Sequence, residues 1–283
     1  MALYIAAFFV SISVTAENSA QNPVGNISET VKLHFFDCGQ AESQIIELTG
    51  GRCMLVDAGT KDYAKKLVSY IKSLGYKKLD IVVATHPHID HIGGMSEILK
   101  NFEIGTFYMP DVSYTTKTYE NMMKALKKNG CKCEYIARGS VILDDNVKCT
   151  VLSPEKDKTY MRMNNYSAVL RLEYKKFAAI LSSDAEIAAE QSMANANLNL
   201  KANVYKVGHH GGATSTDESY LNKISPETAI ISVGKNNDYG SPSPFVLNIL
   251  KTKSIKMFRT DEDGTIVVTT NGITYTTQKI KNI

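Results

Sequence analysis

The sequence of 283 residues has no strong excess of either charge, because 32 lysine and arginine residues face 29 aspartate and glutamate residues. The net charge of +3 excludes the strongly basic tail of a protein that coats nucleic acid, although it permits an anionic substrate. The sequence also lacks a solenoid repeat and lacks any apolar run of the ~20 residues that a membrane-spanning helix needs. These absences indicate one globular domain of ordinary composition, 43% hydrophobic and 22% charged.

The first thirty residues contain no lysine or arginine, and the first positive side chain is Lys32. The stretch from Ala2 to Val14 is almost wholly apolar or small, and a small-residue cleavage site precedes Glu17, which is typical of a secretory signal peptide. The missing positive charge counts against this interpretation, and the apolar run is too short for the alternative, a membrane anchor. We expect residues 1–30 to be a signal peptide with a flexible leader and residues 31–283 to form the folded domain. The mature protein would then be secreted or held at the cell surface without a stable membrane span, and it would be cytoplasmic if the segment does not direct export.

Cysteine is scarce, since the chain has five, an odd number without the spacing of a zinc ribbon. At most two disulfides could form. Cys53 and Cys149 lie in strand-like apolar stretches, which favours small buried side chains over a disulfide framework.

Short apolar β runs alternate with stretches of helical periodicity from Val31 onwards, which predicts an α/β protein. Strands near 31–36, 43–48 and 53–56 form a meander, and a helix over 61–74 follows. The second half begins near Ser153 and repeats this order, so we expect two β-sheets packed face to face with helices on both outer faces, a four-layer αββα fold. The other predicted strands are 79–84, 133–136, 147–152, 167–173, 177–181, 204–207, 229–233, 255–258 and 265–269, and the other predicted helices are 116–128, 185–196, 218–224 and 245–251.

Five of the six histidines fall in two clusters, and each cluster follows an apolar strand. In the first, extended backbone projects His86, His88 and Asp90 toward one side, while His91 can turn back as the chain bends into two glycines. Imidazole and carboxylate are the ligand types that zinc and similar ions accept. Four such ligands within six residues can serve two metal ions.

Three further positions could complete this site, and each has a plainer explanation. Asp57 ends a strand before glycine, where aspartate is commonly a turn former. Asp184 precedes a predicted helix and could be its N-cap. His209 and His210 follow an apolar strand in a segment that has no packing rationale, and we favour His209 as the ligand while His210 stays open.

The pattern His-x-His-x-Asp-His resembles the metallo-β-lactamase superfamily, over nearly the whole chain after residue 31. The resemblance implies that His86 and His88 bind one metal, and that Asp90 and His91 bind the second. It also implies that Asp184 bridges both ions.

By the same resemblance His209 is the last histidine ligand, and Asp57 orders the ligand loop from beneath. The expected cofactor is a pair of divalent ions, with zinc favoured and manganese the alternative.

A narrower resemblance is to the soluble domain of the bacterial competence protein ComEC, of a DNA-uptake channel family. Phe36 to Ser43 is similar to the opening motif of that subgroup, and Asn164 to Leu170 is similar to its central strand entry. Lys206 to His210, Tyr239-Gly240 and Arg259 to Gly264 continue the match in order. The channel's membrane segments are absent, which implies a stand-alone version.

The sequence also departs from that subgroup. Glu42 stands where an aspartate is usual, Ala41 and Gly212 replace a glycine and a serine, and Ser241 replaces a histidine. No histidine lies between residues 91 and 184, so a middle histidine ligand is missing. Asn164 or Asn165 would stand near that position, or would cap a strand.

The resemblance implies hydrolysis by a hydroxide that two metals activate, with Asp90 and Asp184 holding the reacting centre. A proton for the leaving group would come from His210, or from Tyr239 through a water. The leading prediction is a phosphodiesterase that cleaves DNA or RNA, and no protein partner is predicted. The alternatives are hydrolysis of a phosphocholine ester, a β-lactam or a lactone, or a non-catalytic domain that binds the cell wall.

Lysines are frequent between residues 61 and 78, and a solvated helix face explains them more simply than a contact with nucleic acid does. They are Lys61, Lys65, Lys66, Lys72, Lys77 and Lys78.

Overall fold

The computed structural model describes residues 29–281, and the predicted signal peptide and most of the leader lie outside that range. The described residues form two β-sheets with helices on the outer face of each. The predicted four-layer αββα architecture is therefore confirmed. Within the described range, no helix combines the length and the apolar character needed to cross a membrane.

The first sheet has eight strands in the order β15-β14-β1-β2-β3-β4-β5-β6. Strands β3, β4, β5 and β6 run parallel to one another, so their carboxyl ends share one edge of the sheet. The strand bounds are β1 Val31–Phe35, β2 Gln44–Glu47, β3 Cys53–Val56, β4 Lys78–Val83, β5 Glu103–Pro110, β6 Lys132–Ile136, β14 Thr265–Thr270 and β15 Tyr275–Ile280.

The second sheet has seven strands in the order β13-β12-β11-β10-β9-β8-β7. Strands β10, β11, β12 and β13 are parallel, which again gathers their carboxyl ends at one edge. The bounds are β7 Val141–Asp144, β8 Val147–Ser153, β9 Val169–Tyr174, β10 Phe177–Leu181, β11 Val204–Lys206, β12 Thr228–Ile231 and β13 Lys256–Arg259.

Eight α-helices lie in the described range. Helix α4 begins where the Thr116 hydroxyl accepts the N–H of Tyr119, and it ends at Gly130 in the left-handed conformation. Helix α7 begins with Pro244 after the capping side chain of Ser243. The bounds are α1 Ala64–Ser73, α2 Ile89–Ile92, α3 Met95–Asn101, α4 Lys117–Asn129, α5 Ile187–Asn195, α6 Glu218–Ile224, α7 Pro244–Thr252 and α8 Thr260–Asp263.

Three apolar clusters separate the four layers. The central cluster joins the inner faces of the two sheets, with residues such as Leu33 and Leu170 fully buried. A second cluster packs α1, α3 and α4 on the first sheet, and a third packs α5, α6 and α7 on the second. Because alternate side chains of a strand point to opposite faces, each sheet serves two of these clusters at once.

The five cysteines are all free thiols in the structure. Cys53 and Cys149 are completely buried, as the apolar stretches around them predicted. Burial raises the pKa of the Cys149 thiol to about 12, so this side chain behaves as a small hydrophobic residue.

Candidate metal centre

The site residues follow two pairs of parallel strands, one pair in each sheet. Asp57 follows β3 and His86 follows β4 in the first sheet, while Asp184 follows β10 and the second histidine cluster follows β11 in the other. Parallel strands deliver their carboxyl ends to one edge, so residues distant in sequence come together here. Both halves of the chain are therefore needed to build this site.

His86, His88 and Asp184 form the first group of possible ligands, with one ligand atom of each lying within 4.8 Å of the others. The Nε2 atom of His86 lies 3.8 Å from Oδ2 of Asp184. The His86 and His88 rings are 4.7 Å apart at their centroids, so their nitrogens can converge on one cation.

Asp90, His91, Asp184 and His210 form the second group, within the same 4.8 Å limit. Here the other carboxylate oxygen of Asp184, Oδ1, lies 3.3 Å from Nε2 of His91 and 3.7 Å from Nε2 of His210. Asp90 contributes Oδ2, which is 3.2 Å from Nε2 of His210. The two oxygens of Asp184 thus face different groups, which is the arrangement that a bridging carboxylate requires.

The Nδ1 atom of each buried histidine has its own partner, which leaves Nε2 facing the site. His91 Nδ1 lies 2.6 Å from Oδ2 of Asp57, and His210 Nδ1 donates to the carbonyl oxygen of Ser232 at 2.8 Å. His86 Nδ1 lies 3.3 Å from the Thr85 hydroxyl. Such outer contacts fix the ring orientation and tautomer of metal-binding histidines.

Asp57 organises the loop below the histidines. It is completely buried, and its backbone is left-handed, with φ of 57°. Its two carboxylate oxygens accept the N–H of Thr85 at 2.8 Å and the Thr85 hydroxyl at 2.6 Å, in addition to His91. These contacts are more than a turn former would need, so Asp57 holds the ligand loop in place.

Glycine allows this loop to approach its neighbour closely. A Cβ at Gly94 would lie 2.3 Å from the carbonyl oxygen of Ala58. The N–H of Gly94 donates to the carbonyl of Gly59 at 3.0 Å. Any larger residue at position 94 would push α2, with Asp90 and His91, away from the site.

Three buried polar atoms that face the site have no hydrogen-bond partner among the described residues. They are Nε2 of His86, Nε2 of His91 and Oδ1 of Asp184. A buried polar atom without a partner is costly, and these three converge on the same space. The donor set of imidazole nitrogens and carboxylates therefore fits divalent metal ions, which would satisfy all three atoms.

The carboxylates make this region favourable for positive charge. Burial opposes protonation of His91, but Asp184, Asp57 and Asp90 outweigh it and hold the pKa of His91 well above its usual value. Burial alone would raise the pKa of Asp184, yet His91 and His210 keep it well below its usual range. Asp184 is therefore an anion here, available to two cations.

The structure brings His210, and not His209, into the ligand groups. Both residues have left-handed backbone, with φ of 49° for His209 and 54° for His210, so the chain turns sharply between them. The His210 side chain is 4% exposed and points into the cluster, whereas that of His209 is 30% exposed. The geometry therefore favours His210 over His209, the residue that the sequence favoured, and the identity of this ligand stays a prediction.

His209 joins a separate group of polar side chains beside the metal centre. Its Nδ1 lies 2.9 Å from the Thr214 hydroxyl, and its Nε2 lies 3.2 Å from Nδ2 of Asn164. Glu186 accepts from Thr214 at 3.0 Å and from Arg162 at 3.1 Å.

The two asparagines considered for the missing histidine differ in their contacts. Asn165 Oδ1 accepts the N–H groups of Glu186 and Ala189, both at 3.2 Å, so this residue caps the start of α5. Asn164 keeps a buried Oδ1 without a partner among the described residues. Tyr239, the alternative proton donor, is 80% exposed.

A buried ion pair that the sequence did not reveal lies behind the site. Lys206 Nζ contacts Oε2 of Glu42, and both side chains are almost completely buried. Lys206 also donates to the carbonyl oxygen of Ser183 at 3.2 Å, next to Asp184. The N–H of Glu42 donates to the carbonyl of Asp90 at 3.1 Å, so this pair links the ligand loops of the two sheets. Only part of its signal is in the sequence, because Lys206 lies in a segment similar to the ComEC subgroup whereas Glu42 stands where that subgroup usually has an aspartate.

Comparison with known proteins gives matches over most of the chain. Residues 37–235 match the Metallo-beta-lactamase superfamily. The chain is 34% identical to ComE operon protein 3 of Bacillus subtilis over 257 residues, which cover 85% of this chain and 33% of that protein. It is 29% identical to Competence protein ComA of Neisseria gonorrhoeae, over 82% of this chain and 31% of that protein. The chain thus spans about a third of the length of these curated relatives.

Among solved structures, the metallo-beta-lactamase fold protein YhfI from Bacillus subtilis is similar to this chain with a TM-score of 0.55. The match covers 81% of this chain and 95% of that chain, at 13% identity. At this identity the likeness concerns the fold alone.

Proposed function

The chain belongs to the metallo-beta-lactamase superfamily of metal-dependent hydrolases, as the sequence resemblance predicted, and from this premise we propose that it is a two-metal phosphodiesterase that hydrolyses DNA or RNA. The observation that carries the two-metal part is Asp184, whose two oxygens face two different groups of possible ligands. We assign His86 and His88 with Asp184 to one ion, and Asp90, His91 and His210 with Asp184 to the other.

The pair of divalent ions, when bound, would lower the pKa of a water molecule and offset the charge that builds on a phosphoryl oxygen. Asp184, which follows β10, would bind both ions through its two carboxylate oxygens. Asp90 is half-buried at the rim, where its carboxylate can accept a proton or orient a water. We favour zinc, since imidazole and carboxylate suit it, with manganese as the alternative.

The substrate class rests on the curated relatives, which are named for competence, and on the resemblance to a DNA-uptake family. A nucleic acid offers phosphodiesters that two cations can neutralise on both the attacking and leaving oxygens. His210 is assigned here as a ligand, so the proton for the leaving group must come from another donor. The outward imidazole of His209 lies next to the cluster and is our candidate for contact with substrate.

A substrate screen with matched variants tests this proposal. Wild type, Asp184→Asn and Asp144→Asn would be loaded with zinc or manganese and given single-stranded DNA, duplex DNA and RNA. A bis-aryl phosphodiester, a phosphocholine ester and a chromogenic β-lactam complete the panel. We expect wild type and the Asp144 control, changed at an exposed edge strand, to cleave nucleic acid. Asp184→Asn should lose ~10²-fold or more in rate, because an amide bridges two cations poorly.

Turnover of the phosphocholine ester or β-lactam without cleavage of any nucleic acid would refute the proposed nuclease activity, but it would remain consistent with the two-metal site. Undiminished cleavage by Asp184→Asn would remove this residue from the site.

We also propose that residues 1–30 direct export and that residues 31–283 form the catalytic domain. Mass spectrometry of the protein from its native cell should find a mature chain that begins near Glu17. An intact N-terminus on protein from the cytoplasm would contradict export.

A further inference from the structure

A groove lined by lysines runs over the helices on the outer face of the first sheet. It has a volume of about 490 Å³ and is lined by residues of α1, α3 and α4, together with Ile89 of α2. We call it the lysine groove, and its five lysines are Lys61, Lys65, Lys100, Lys124 and Lys128. Glu97 is the one acidic residue of its lining, so the formal charge of the lining is strongly positive.

The lysines of the groove are mostly unneutralised. Lys100 lies 3.8 Å from Glu97, whose carboxylate also accepts from Asn101 at 2.9 Å. The other four form no ion pair within residues 29–281. Elsewhere on the described surface, lysines such as Lys32 and Lys253 do have carboxylate partners. Exposed cations from three separate helices that face one groove repel one another unless an anion lies between them.

The groove reaches the metal centre through α2. Ile89 lines the groove with 61% of its surface exposed, and its neighbours in sequence are His88 and Asp90, which are ligands in our assignment. A chain lying in the groove would therefore contact α2, the helix that carries Asp90 and His91. The Tyr114 ring lies 5.8 Å from that of His88.

We propose that the lysine groove binds the sugar-phosphate backbone of a nucleic acid strand and directs it to the metal centre. This inference rests on the proposed function and adds the path of the substrate. Lysine ammonium groups neutralise phosphates and release condensed counterions, so affinity depends on the number of lysines engaged and falls as salt rises. A small phosphodiester has no backbone that could extend along the groove, so the groove should not increase its affinity for the enzyme.

The test measures binding of a fluorescent DNA 20-mer over a range of salt concentrations, with chelator present so that no cleavage occurs. The variant is Lys65→Gln with Lys124→Gln, which removes one charge from each wall. The control is Lys77→Gln with Lys148→Gln, two exposed lysines outside the groove, which gives the same net charge. For the groove variant, we expect the slope of the logarithm of the association constant against the logarithm of salt concentration to become less negative. The loss of two phosphate contacts should change it by about 1.4 for single-stranded DNA or about 1.8 for duplex DNA. The control should keep the wild-type slope.

Two further measurements separate this inference from the proposed function. The groove variant should hydrolyse the bis-aryl phosphodiester as fast as wild type does, while it loses cleavage of long DNA at low concentration. Salt-dependent binding that depends on the groove, without cleavage of DNA or RNA by the metal-loaded enzyme, would support nucleic-acid binding in the groove and refute the nuclease activity. Equal salt-dependence slopes for the groove variant and the control would refute the binding of nucleic acid in the groove, whatever the enzyme hydrolyses. Wild-type binding to polyglutamate as tight as to DNA would refute it as well.

Discussion

Lys206→Met should strongly destabilise the fold, because it leaves the Glu42 carboxylate buried without its cation. Both side chains are almost completely buried, at 0% and 1% exposure. The remaining partner of Glu42 is the side-chain amide of Gln44, which donates to Oε1 at 2.8 Å. One neutral donor cannot compensate a buried charge.

The magnitude follows from the burial of the pair. Removing one partner of a buried ion pair typically costs about 3–5 kcal/mol, whereas replacing both partners by neutral groups is often nearly neutral. For a domain of this size each kcal/mol lowers Tm by about 2–4 °C, so the loss should be roughly 6–20 °C. Adding Glu42→Gln to the Lys206 variant should restore more than half of it, because the uncompensated charge is gone.

Denaturant and thermal unfolding of wild type, the Lys206 variant and the double variant measure this effect. Lys132→Met is the matched control, since its ion pair with Glu134 is exposed and should change stability by about 0.5 kcal/mol or less. If Lys206→Met costs no more than this control, or if the double variant is less stable than the single variant, the reasoning from burial fails.

Two other predictions concern the ions and the pH dependence of stability. Elemental analysis of the purified protein should find close to two divalent ions per chain, and His88→Ala should lose at least one of them. Hydrolytic activity that survives complete removal of metal from wild type would contradict the two-metal site. Burial tends to raise the pKa of Glu47, but its contacts with His34 at 3.0 Å and Lys32 at 3.1 Å lower the pKa from 4.5 to about 2. Because the pKa of Glu47 is lower in the folded protein, these contacts stabilise the fold above about pH 4.5, and the stabilisation is lost as the pH falls toward 2. The free energy of unfolding of Glu47→Gln should therefore be lower than that of wild type by about 1–2 kcal/mol at pH 7, after allowance for solvent screening. Near pH 2 the difference should almost disappear. Unfolding of both proteins across this range would test it, and a cost independent of pH would disprove the link to ionisation.

The first histidine cluster, His86 to His91, could be predicted from sequence because its residues are close together along the chain. His86 and His88 follow a continuous apolar strand with the spacing of extended backbone, whereas Asp90 lies in α2 and joins His91 in the second ligand group, so the expected extended segment ends at His88. Asp184 and the second histidine cluster were identified from the family resemblance and their order along the chain, and the structure brings Asp184 and His210 within 4.8 Å of ligand atoms from the first cluster. Spacing and resemblance were therefore enough to find the residues, but not to distinguish His209 from His210.

That distinction depends on backbone conformation. Two successive left-handed residues are uncommon outside glycine, so a sequence reader expects extended backbone and the first histidine pointing inward. The structure has the reverse, since the N–H of His209 donates to the carbonyl of Ser183 at 2.9 Å and the turn continues into His210. The contact comes from the loop that follows β10, the neighbouring strand of the same sheet, and it cannot be read from residue order.

The elements missed in sequence have similar causes. Strand β5 contains Gly105 and ends at Pro110, and both residue types favour the prediction of a loop. Parallel pairing with β4 and β6 nevertheless holds this segment as a strand. Strand β15 is polar and partly exposed because it lies at the edge of the first sheet, so it has no apolar pattern to detect. In both strands, tertiary pairing outweighs local propensity.

Because the ligands come from both sheets, binding of the ions should be coupled to the stability of the whole domain. Asp184 belongs to the second sheet and His86 and His91 to the first, so no ion can be held once the sheets separate. A ligand that binds only the folded state adds about 2.7 kcal/mol at a free concentration of 100 Kd, which corresponds to a rise in Tm of roughly 5–11 °C. Zinc should produce this rise in wild type and a much smaller one in Asp184→Asn, and magnesium should have little effect on either because it prefers oxygen ligands. Thermal unfolding of metal-free protein with each ion would measure the coupling. A Tm that zinc leaves unchanged in wild type would mean that the converging buried atoms do not form a metal site, whatever the family of the chain.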